Sequence, residues 1–486
     1  MSQDPAAEAP VTGLEGDLIH AAYVERGDVG YHHALSNLQI QMIAIGGAIG
    51  VGLFLGVGAP LAAVGPALVF SYLLVAVVVY LMMRALGEMV LYRPTTGAWV
   101  SYAREFVSDR FSHLTGWIYV VIAALAGIAE LSAIGVYVQY WSPAFPGWLA
   151  SLLALLIIAG ANALSVRAFG TIELGAASIK VLAILAFLTA GVFVIVLSMF
   201  GAIDSQASVA NLWAHGGVFP NGVLAAVIVL QAVVFSFSAV EIVGISAGEA
   251  KDPQKTMPQA IRSVVLRIGL FYIGSILVLA MLLPTSSYSG DESPFVTAME
   301  SLGITGLAGI MNFVVLTAAI SGVNATLYAT VRLLRNLSAN GRAPKFTDVM
   351  SSRGIPIGAL LTIGTVYLLG VGLIYLLGAG DAFEIILGAC AVFIVFGWIA
   401  IFVSHLGYRR QVAAGHIVPP TFRMPGSPYT DYICLVLLGI FFVSMVFNFS
   451  NPHWWYSLIA AIGLPALILL SYEYFVRKTP ADVIEV

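Results

Sequence analysis

The stretch MIAIGGAIGVGLF, residues 42–54, carries four glycines within seven positions. Each glycine weakens an α-helix by about 1 kcal/mol relative to alanine. The apolar run 39–60 around it is long enough to cross a bilayer, so we predict a membrane helix that unwinds in its middle. Unwound backbone at membrane depth is tolerated where it lines a cavity. The freed N–H groups could hold a carboxylate, and the freed carbonyls an amine or a cation.

This glycine cluster has two other interpretations. Small residues often allow two membrane helices to pack closely, and this alternative remains open. A dinucleotide-binding loop would need a preceding strand and a βαβ unit. The residues before position 42 form no strand pattern, so this second alternative is dismissed.

The whole chain is too apolar for a water-soluble fold. Of its 486 residues, 60% are hydrophobic and 9% are charged, against about 25% charged in a typical soluble protein. We expect an all-α integral membrane protein with twelve transmembrane helices. The twelve apolar runs lie near 39–60, 66–90, 117–141, 147–165, 174–200, 222–249, 264–284, 304–334, 356–377, 383–406, 431–449 and 454–475.

The connections between these runs predict the orientation. Lys and Arg collect on the cytoplasmic side of membrane proteins, and here only the even-numbered connections carry them. The odd-numbered connections hold acids such as Asp204 and Asp381 and no basic residue. We therefore expect a multi-pass protein of the plasma membrane with cytoplasmic tails at 1–38 and 476–486. The segment 92–114 is expected to be amphipathic and to lie at the membrane–water interface.

The sixth run has an interruption that matches the first. It reads FSFSAVEIVGISAGE, residues 235–249, with Glu241 among small residues. Because five helices separate runs one and six, two five-helix repeats would be inverted relative to each other. We predict repeats at 39–200 and 222–406 and two additional helices at 431–475. Paired interruptions of this kind indicate a transport site.

Three ionisable residues fall inside the predicted spans. Each costs about 2.5–3.5 kcal/mol to insert into the membrane. We therefore expect a function or a stabilising partner for Glu130, Glu241 and Lys180. The carboxyl groups could simply be buried and neutral, and Lys180 could extend to the interface. Glu88, Glu173 and Glu249 lie near helix ends, where we expect interfacial ion pairs.

The eighth run adds two polar side chains on one helix face, Ser321 and Asn324. They could bind a substrate or join two helices, and the sequence does not decide between these roles. Phe235 stands beside the predicted break and could cover a ligand. A net charge of −4 gives no reason to expect a nucleic-acid partner, and no metal-ligand spacing appears. We expect no metal and no cofactor.

Residues 31–475 resemble the amino acid permeases of the amino acid–polyamine–organocation superfamily, especially the bacterial L-asparagine permeases and their GABA and aromatic amino acid relatives. Four stretches carry the resemblance: QMIAIGGAIGVGLFLGVG (41–58), RALGEMVLYRPTTGAWVSYAREF (84–106), FSFSAVEIVGISAGEAKDPQKTMPQAI (235–261) and NATLYATVRLLRNLSANGRAPK (324–345). The resemblance implies an inverted five-plus-five repeat with broken helices 1 and 6 plus two extra helices. The chain departs from the family pattern at Val51, Ala325 and 388–391, which leaves fewer hydrogen-bond donors for a polar side chain.

The resemblance also implies roles for particular residues. The substrate would be held by the two breaks and by nearby side chains. Lys180 and Glu241 match positions tied to proton coupling in relatives, and Glu130 matches an acid that many relatives carry in the third span. We expect all three to take part in proton coupling. The expected substrate-binding residues are Ile45, Gly46, Gly47, Ala48, Ile49, Gly50, Gly52, Glu130, Phe235, Ser236, Phe237, Ala239, Glu241, Ser321 and Asn324.

We therefore expect a secondary transporter that imports an amino acid by proton symport, with L-asparagine or another neutral amino acid as the substrate. Its partners would be that small molecule, the proton and the lipid bilayer. An exchanger and a membrane sensor that binds without transporting are the alternatives. An enzyme is not expected, because no nucleophile–base pair or metal cluster appears at membrane depth. The oligomeric state is not indicated by the sequence.

Overall fold

The computed structural model describes residues 49–94, 98–164, 166–241, 257–259, 261–262, 268–304, 306–351, 354–447 and 454–475. These residues are helical apart from turns and one isolated bridge between Met350 and Pro356. The first helices are α1 (Val51–Phe54), α2 (Gly58–Val64), α3 (Leu68–Tyr92), α4 (Ala98–Phe106), α5 (Asp109–Trp141), α6 (Gly147–Leu164), α7 (Val166–Met199), α8 (Gly222–Ile228) and α9 (Leu230–Ser236). The remaining helices are α10 (Gly274–Leu282), α11 (Pro294–Glu300), α12 (Leu307–Ala339), α13 (Ile357–Leu377), α14 (Ala379–Ala413), α15 (Tyr429–Val446) and α16 (Trp454–Phe475).

Eight helices in the described part of the chain are long and apolar enough to cross a membrane. Two shorter apolar helices, Gly147–Ala163 and Gly269–Leu282, coincide with the predicted fourth and seventh spans. The chain is therefore an all-helical, multi-pass membrane protein. The count of twelve spans, the inverted repeats and the division into 39–200, 222–406 and 431–475 stay predictions.

The first predicted span is described only from Ile49 onward. Ile49 and Gly50 form a bend, and Gly50 has extended backbone before α1 begins at Val51. A turn at 55–57 separates α1 from α2, and Gly65 then adopts a positive φ of 64°. The chain enters the long helix α3 through a short 3₁₀ turn, Gly65–Ala67. The first span is thus divided into short helical pieces over the described residues.

The sixth predicted span is also interrupted. Helices α8 and α9 meet at Val229, and α9 ends at Ser236. Ala239 follows with φ at 66°, the one positive φ of a non-glycine residue among the described residues. A left-handed conformation costs an ordinary residue about 1–2 kcal/mol, so neighbouring contacts must hold this turn in place.

Helix α5 lies at the centre of the molecule and α16 at its edge. The apolar part of α5 is 78% buried, whereas that of α16 is 11% buried. Helix α5 packs against α12 and α14. Close approach to α12 and α13 is possible because a Cβ atom on Gly127 would collide with the Tyr367 hydroxyl of α13 and lie 2.9 Å from the Thr326 Oγ1 of α12. The predicted third span therefore forms the core, and the last helix presents most of its surface outward.

Several helix boundaries differ from the hydropathy pattern, and α7 begins at Val166, eight residues before its apolar run. The third span begins as α5 at Asp109, eight residues before the apolar run at 117, because the Ser108 side chain accepts a hydrogen bond from the Phe111 N–H at 3.2 Å. The tenth extends to Ala413 rather than 406. The predicted interfacial segment 92–114 therefore contains α4 and the start of α5. Helix α4 is amphipathic, with Trp99 buried and Arg104 exposed.

Candidate functional site

The first and sixth spans meet at Gly52 and Ser236. The Ser236 hydroxyl donates to the Gly52 carbonyl at 2.8 Å, and the Tyr72 hydroxyl lies 2.7 Å from the same Ser236 oxygen. A Cβ atom placed on Gly52 would lie 2.7 Å from the Ser236 Cα. Only glycine at position 52 allows the two backbones to come this close. The two interrupted helices are therefore in direct contact at their breaks.

An aromatic cluster closes one side of this junction. Tyr272 donates a hydrogen bond to the Ser236 carbonyl at 2.8 Å. Its ring stacks on Phe237 at 5.1 Å between centroids, and Tyr72 lies 5.7 Å from Phe237. The Ser236 carbonyl is one of those that the end of α9 leaves without a helical partner. The Tyr272 hydroxyl therefore satisfies the Ser236 carbonyl in this conformation.

Glu130 reaches from α5 into the space between the first span and α12. Its Oε1 accepts a hydrogen bond from the Val51 N–H at 3.3 Å. A Cβ atom on Gly50 would lie 2.8 Å from Glu130 Oε1, and one on Gly322 would lie 2.6 Å from it. Glycines on both sides therefore make room for the carboxyl group. The Val51 contact places Glu130 at the bend of the first span.

Glu241 is buried at the end of the described part of the sixth span. The residue is 3% exposed, and its Oε2 has no hydrogen-bond partner among the described residues. It lies beside Trp398 of α14, within electrostatic range of Tyr119 and Cys390. A buried carboxyl oxygen without a described partner is costly unless something else satisfies it. The position suits an acid that changes partners or protonation state.

Lys180 is buried on α7 with an exposed fraction of 1%. The side chain therefore ends inside the protein rather than at its surface, which disfavours the interfacial alternative. It takes part in polar interactions. Ala177, one turn before it on α7, is fully buried, so this face of α7 points into the bundle.

Ser321 and Asn324 are both buried on α12, with exposed fractions of 1% and 5%. Asn162 of α6 donates to the Asn324 Oδ1 at 2.8 Å. The Asn324 Nδ2 has no hydrogen-bond partner within the described part of the chain. The oxygen of Asn324 therefore joins two helices, while its amide donors leave the substrate-binding alternative open.

Phe235 covers the junction from the side of α14. Its ring contacts the ring of Phe383 edge-on, 6.3 Å between centroids, and its Cδ1 would lie 3.2 Å from a Cβ on Gly52. The residue is 2% exposed. Gln231, one turn earlier on α9, places its amide beside Gly388, 3.3 Å from the Cβ that glycine lacks. The sequence indicated Phe235 but did not indicate Phe383 or Gln231.

Other residues of the junction also escaped the sequence analysis. Tyr72, Tyr272 and Gly322 contact predicted site residues but belong to spans without a visible interruption. For the two tyrosines the one available signal was a hydroxyl inside an apolar run, which needs a partner if it is buried. The predicted site residues Ile45, Gly46, Gly47 and Ala48 lie outside the described residues.

Comparison with known proteins adds an independent observation. The amino acid permease family model matches residues 39–484. The chain is 44% identical to L-asparagine permease 2 of Mycobacterium bovis over 448 residues, 91% of each chain. It is 41% identical to L-asparagine permease of Escherichia coli over 470 residues, 96% of this chain and 93% of the relative. It is 42% identical to L-asparagine permease of Streptomyces coelicolor over 416 residues, 85% of each.

Proposed function

The chain belongs to the amino acid permease family, whose members are transporters and not enzymes, and we propose that it imports a neutral amino acid by proton symport. The observation that carries this proposal is the junction of the two interrupted helices at Gly52 and Ser236, flanked by the buried acids Glu130 and Glu241. Backbone breaks of this kind suit the charged ends of an amino acid, because helix ends offer free N–H and C=O groups.

L-asparagine is the first candidate substrate. The relatives named above are L-asparagine permeases, at 41–44% identity. The chain lacks hydrogen-bonding side chains at Val51, Ala325 and Gly388, where the family pattern offers hydrogen-bond donors to a polar side chain. The Gln231 amide beside Gly388 could supply such a group from α9. Another neutral amino acid is therefore the second candidate for the same site.

Protons are proposed as the coupling ion because of Lys180. A buried ammonium group on α7 provides a fixed positive charge that a bound sodium ion would otherwise supply. We infer that Lys180 points toward the broken first span. Glu241, whose second carboxyl oxygen has no partner among the described residues, is the acid that we assign to proton transfer. Glu130 assists at the bend of the first span.

The test is uptake of a panel of radiolabelled amino acids into proteoliposomes that contain the purified full-length protein. We expect L-asparagine or another neutral amino acid to accumulate when the outside is more acidic than the inside. Accumulation should stop when a protonophore is added and continue when choline replaces sodium. Uptake that survives the protonophore but needs sodium would overturn proton symport.

The same vesicles separate the alternatives. An exchanger would show uptake only with an amino acid inside, with or without a pH gradient. A sensor would bind the substrate without accumulating it. Lys180→Ala is expected to reduce gradient-driven uptake by about tenfold or more, equivalent to about 1.4 kcal/mol. Lys345→Ala removes an exposed lysine and should leave uptake unchanged. Equal uptake by the two variants would contradict the role given to Lys180.

We also propose a plasma-membrane location with both termini in the cytoplasm. The support is the sequence asymmetry, because basic residues occur in the even-numbered connections and are absent from the odd-numbered ones. That distribution is the pattern expected from the positive-inside rule.

A further inference from the structure

A second buried cluster of titratable groups lies away from the junction. Glu88 on α3, His405 on α14 and Asp431 on α15 all have exposed fractions of 0%. His405 Nδ1 lies 2.7 Å from Asp431 Oδ1, and its Nε2 lies 3.2 Å from Glu88 Oε2. Both ring nitrogens of one histidine thus face carboxyl oxygens on two other helices.

Two ionised carboxylates and a neutral imidazole together hold one proton too few to form both contacts as hydrogen bonds. A neutral imidazole has one N–H, and an ionised carboxylate only accepts hydrogen bonds. Two imidazole–carboxylate contacts at hydrogen-bond distance therefore need either an imidazolium or one protonated carboxyl group. Asp431 Oδ2 is buried and has no hydrogen-bond partner among the described residues. If Asp431 carries the proton on Oδ1, which faces the ring, Oδ2 becomes a neutral carbonyl oxygen, and that is less costly to leave without a partner than a carboxylate oxygen.

The charges around the cluster support the same account. Glu88 also accepts hydrogen bonds from Arg409 at 2.8 Å and from the Met424 backbone N–H at 2.7 Å. With the extra proton, the two acids are balanced by Arg409 and the proton. Without it, a negative charge is left unbalanced where water does not reach, which is unfavourable.

The neighbouring elements add few groups that could replace the proton. Tyr408 of α14 lies flat against His405 at 5.8 Å, and Phe106 of α4, which does not titrate, contacts Tyr408. The other titratable or charged groups nearby are Arg84 and Tyr92 on α3, Arg423 before α15 and Cys434 on α15.

We propose that Glu88, His405 and Asp431 form a proton-binding site separate from the candidate substrate site, and that its proton holds α3 against α14 and α15. Loss of the proton leaves a carboxylate facing an imidazole lone pair at one of the two contacts. Glu88 keeps its hydrogen bonds from Arg409 and Met424, so the Asp431 contact is the one that becomes repulsive, and α15 moves away from the other two helices.

Cys434 is a natural reporter for this movement. It lies one turn from Asp431 on α15 and is 0% exposed. The second cysteine, Cys390, is removed by Cys390→Ala, and the full-length protein is placed in lipid nanodiscs. The rate of Cys434 alkylation by N-ethylmaleimide is measured across about pH 5 to 9, the range around the ordinary titration of histidine. Each rate is divided by that of a free cysteine peptide at the same pH.

We expect the normalised rate to rise by about tenfold in one step as the cluster loses its proton. Asp431→Asn should abolish the step, because an asparagine amide can donate to a neutral imidazole whose other nitrogen donates to Glu88. Glu105→Gln changes an exposed acid that pairs with Arg93 and should keep the step. A flat profile in the parent protein would overturn the proposal, whether or not Asp431→Asn folds. A step that persists in folded Asp431→Asn protein would overturn it too.

The proton itself is followed by NMR of ¹³C-labelled histidine. The chain has eight histidines, and the His405 signal is identified by its absence in His405→Gln. We expect this signal to change in the same pH interval as the alkylation rate, as proton loss from the cluster alters either the charge or the hydrogen bonds of the ring. A signal that stays constant while alkylation changes would show that another group controls the movement.

Discussion

At the residue scale, Gly52 has the tightest steric requirement of the junction. Alanine there would place a methyl group 2.7 Å from the Ser236 Cα, and backbone atoms cannot move aside easily. We expect Gly52→Ala to separate the first and sixth spans at a cost of about 1–3 kcal/mol, the usual cost of overpacking. Substrate uptake and the temperature of thermal unfolding should both fall.

Gly175→Ala is the matched control for that change. Gly175 lies in α7, and a Cβ atom there meets nothing within 4 Å. Alanine should stabilise the helix by up to about 1 kcal/mol and leave uptake unchanged. If the Gly52→Ala protein transports as well as the Gly175→Ala protein, the close contact at the junction has no role in transport.

Glu241 is the residue at which proton coupling can be tested most directly. We expect Glu241→Gln to keep the shape of the side chain while removing its ability to release a proton. Accumulation driven by an acidic exterior should therefore be lost. Exchange of labelled for unlabelled substrate across the membrane without a pH gradient should persist, because that process needs no net proton movement.

Glu300→Gln provides the comparison, since Glu300 is exposed at the end of α11. It should retain both accumulation and exchange. Glu241→Gln protein that still accumulates substrate against a gradient would remove Glu241 from the coupling mechanism. Loss of exchange as well as accumulation would instead assign Glu241 to substrate binding.

At the scale of the element, the end of α9 depends on one tyrosine. Tyr272→Phe removes the hydroxyl that donates to the Ser236 carbonyl. A buried acceptor left without a donor costs about 1–3 kcal/mol, so we expect a lower unfolding temperature by calorimetry in detergent. The interruption at Ala239 should also become more mobile, which should raise the KM for uptake.

Tyr429→Phe is the control for the loss of a phenol. Tyr429 is 77% exposed at the start of α15, so its hydroxyl can be replaced without leaving a buried group unsatisfied. Its unfolding temperature and KM should match those of the parent protein. An unchanged unfolding temperature in Tyr272→Phe would mean that the Ser236 carbonyl finds another partner.

The elements also show what hydropathy could and could not predict. Apolar runs located the long helices such as α12 and α13 to within a few residues, because burial in lipid or protein requires the same composition. The start of α5 was missed because a serine cap and a polar first turn, not apolar residues, begin that helix. The buried cluster at His405 was missed for a related reason. A histidine near the end of an apolar run resembles an interfacial residue until its partners on α3 and α15 are known.

Part of the candidate site was predictable because its signals lie close together in the sequence. Glycine clusters and a buried acid are local signals, and they indicated Gly52, Glu130 and Glu241. Tyr72 and Tyr272 lie 164 and 36 residues from Ser236 in the sequence. A hydroxyl in an apolar run indicates that the tyrosine needs a partner if it is buried, but nothing local distinguishes a buried tyrosine from one that faces lipid. The residues that contact an interrupted helix can therefore be identified only from the packed structure.

At the scale of the whole molecule, two exposed connections can report the orientation of the chain. Asp204 lies in an exposed connection before α8, and Lys345 lies in an exposed connection after α12. Three predicted spans, 222–249, 264–284 and 304–334, separate these positions. An odd number of crossings places the two connections on opposite sides of the membrane, with Lys345 inside according to the positive-inside rule.

The measurement is labelling of single cysteines by a membrane-impermeant maleimide in intact cells and in inside-out vesicles. Cys390 and Cys434 are both fully buried and are replaced by alanine to give a cysteine-free background. We expect Asp204→Cys to be labelled in intact cells and Lys345→Cys only in inside-out vesicles. Because each position serves as the control for the other, incomplete sealing would appear as labelling of both. Labelling of both from the same side in well-sealed preparations would require an even number of crossings between them. That result would remove the inverted relation between 39–200 and 222–406 on which the pairing of the first and sixth spans depends.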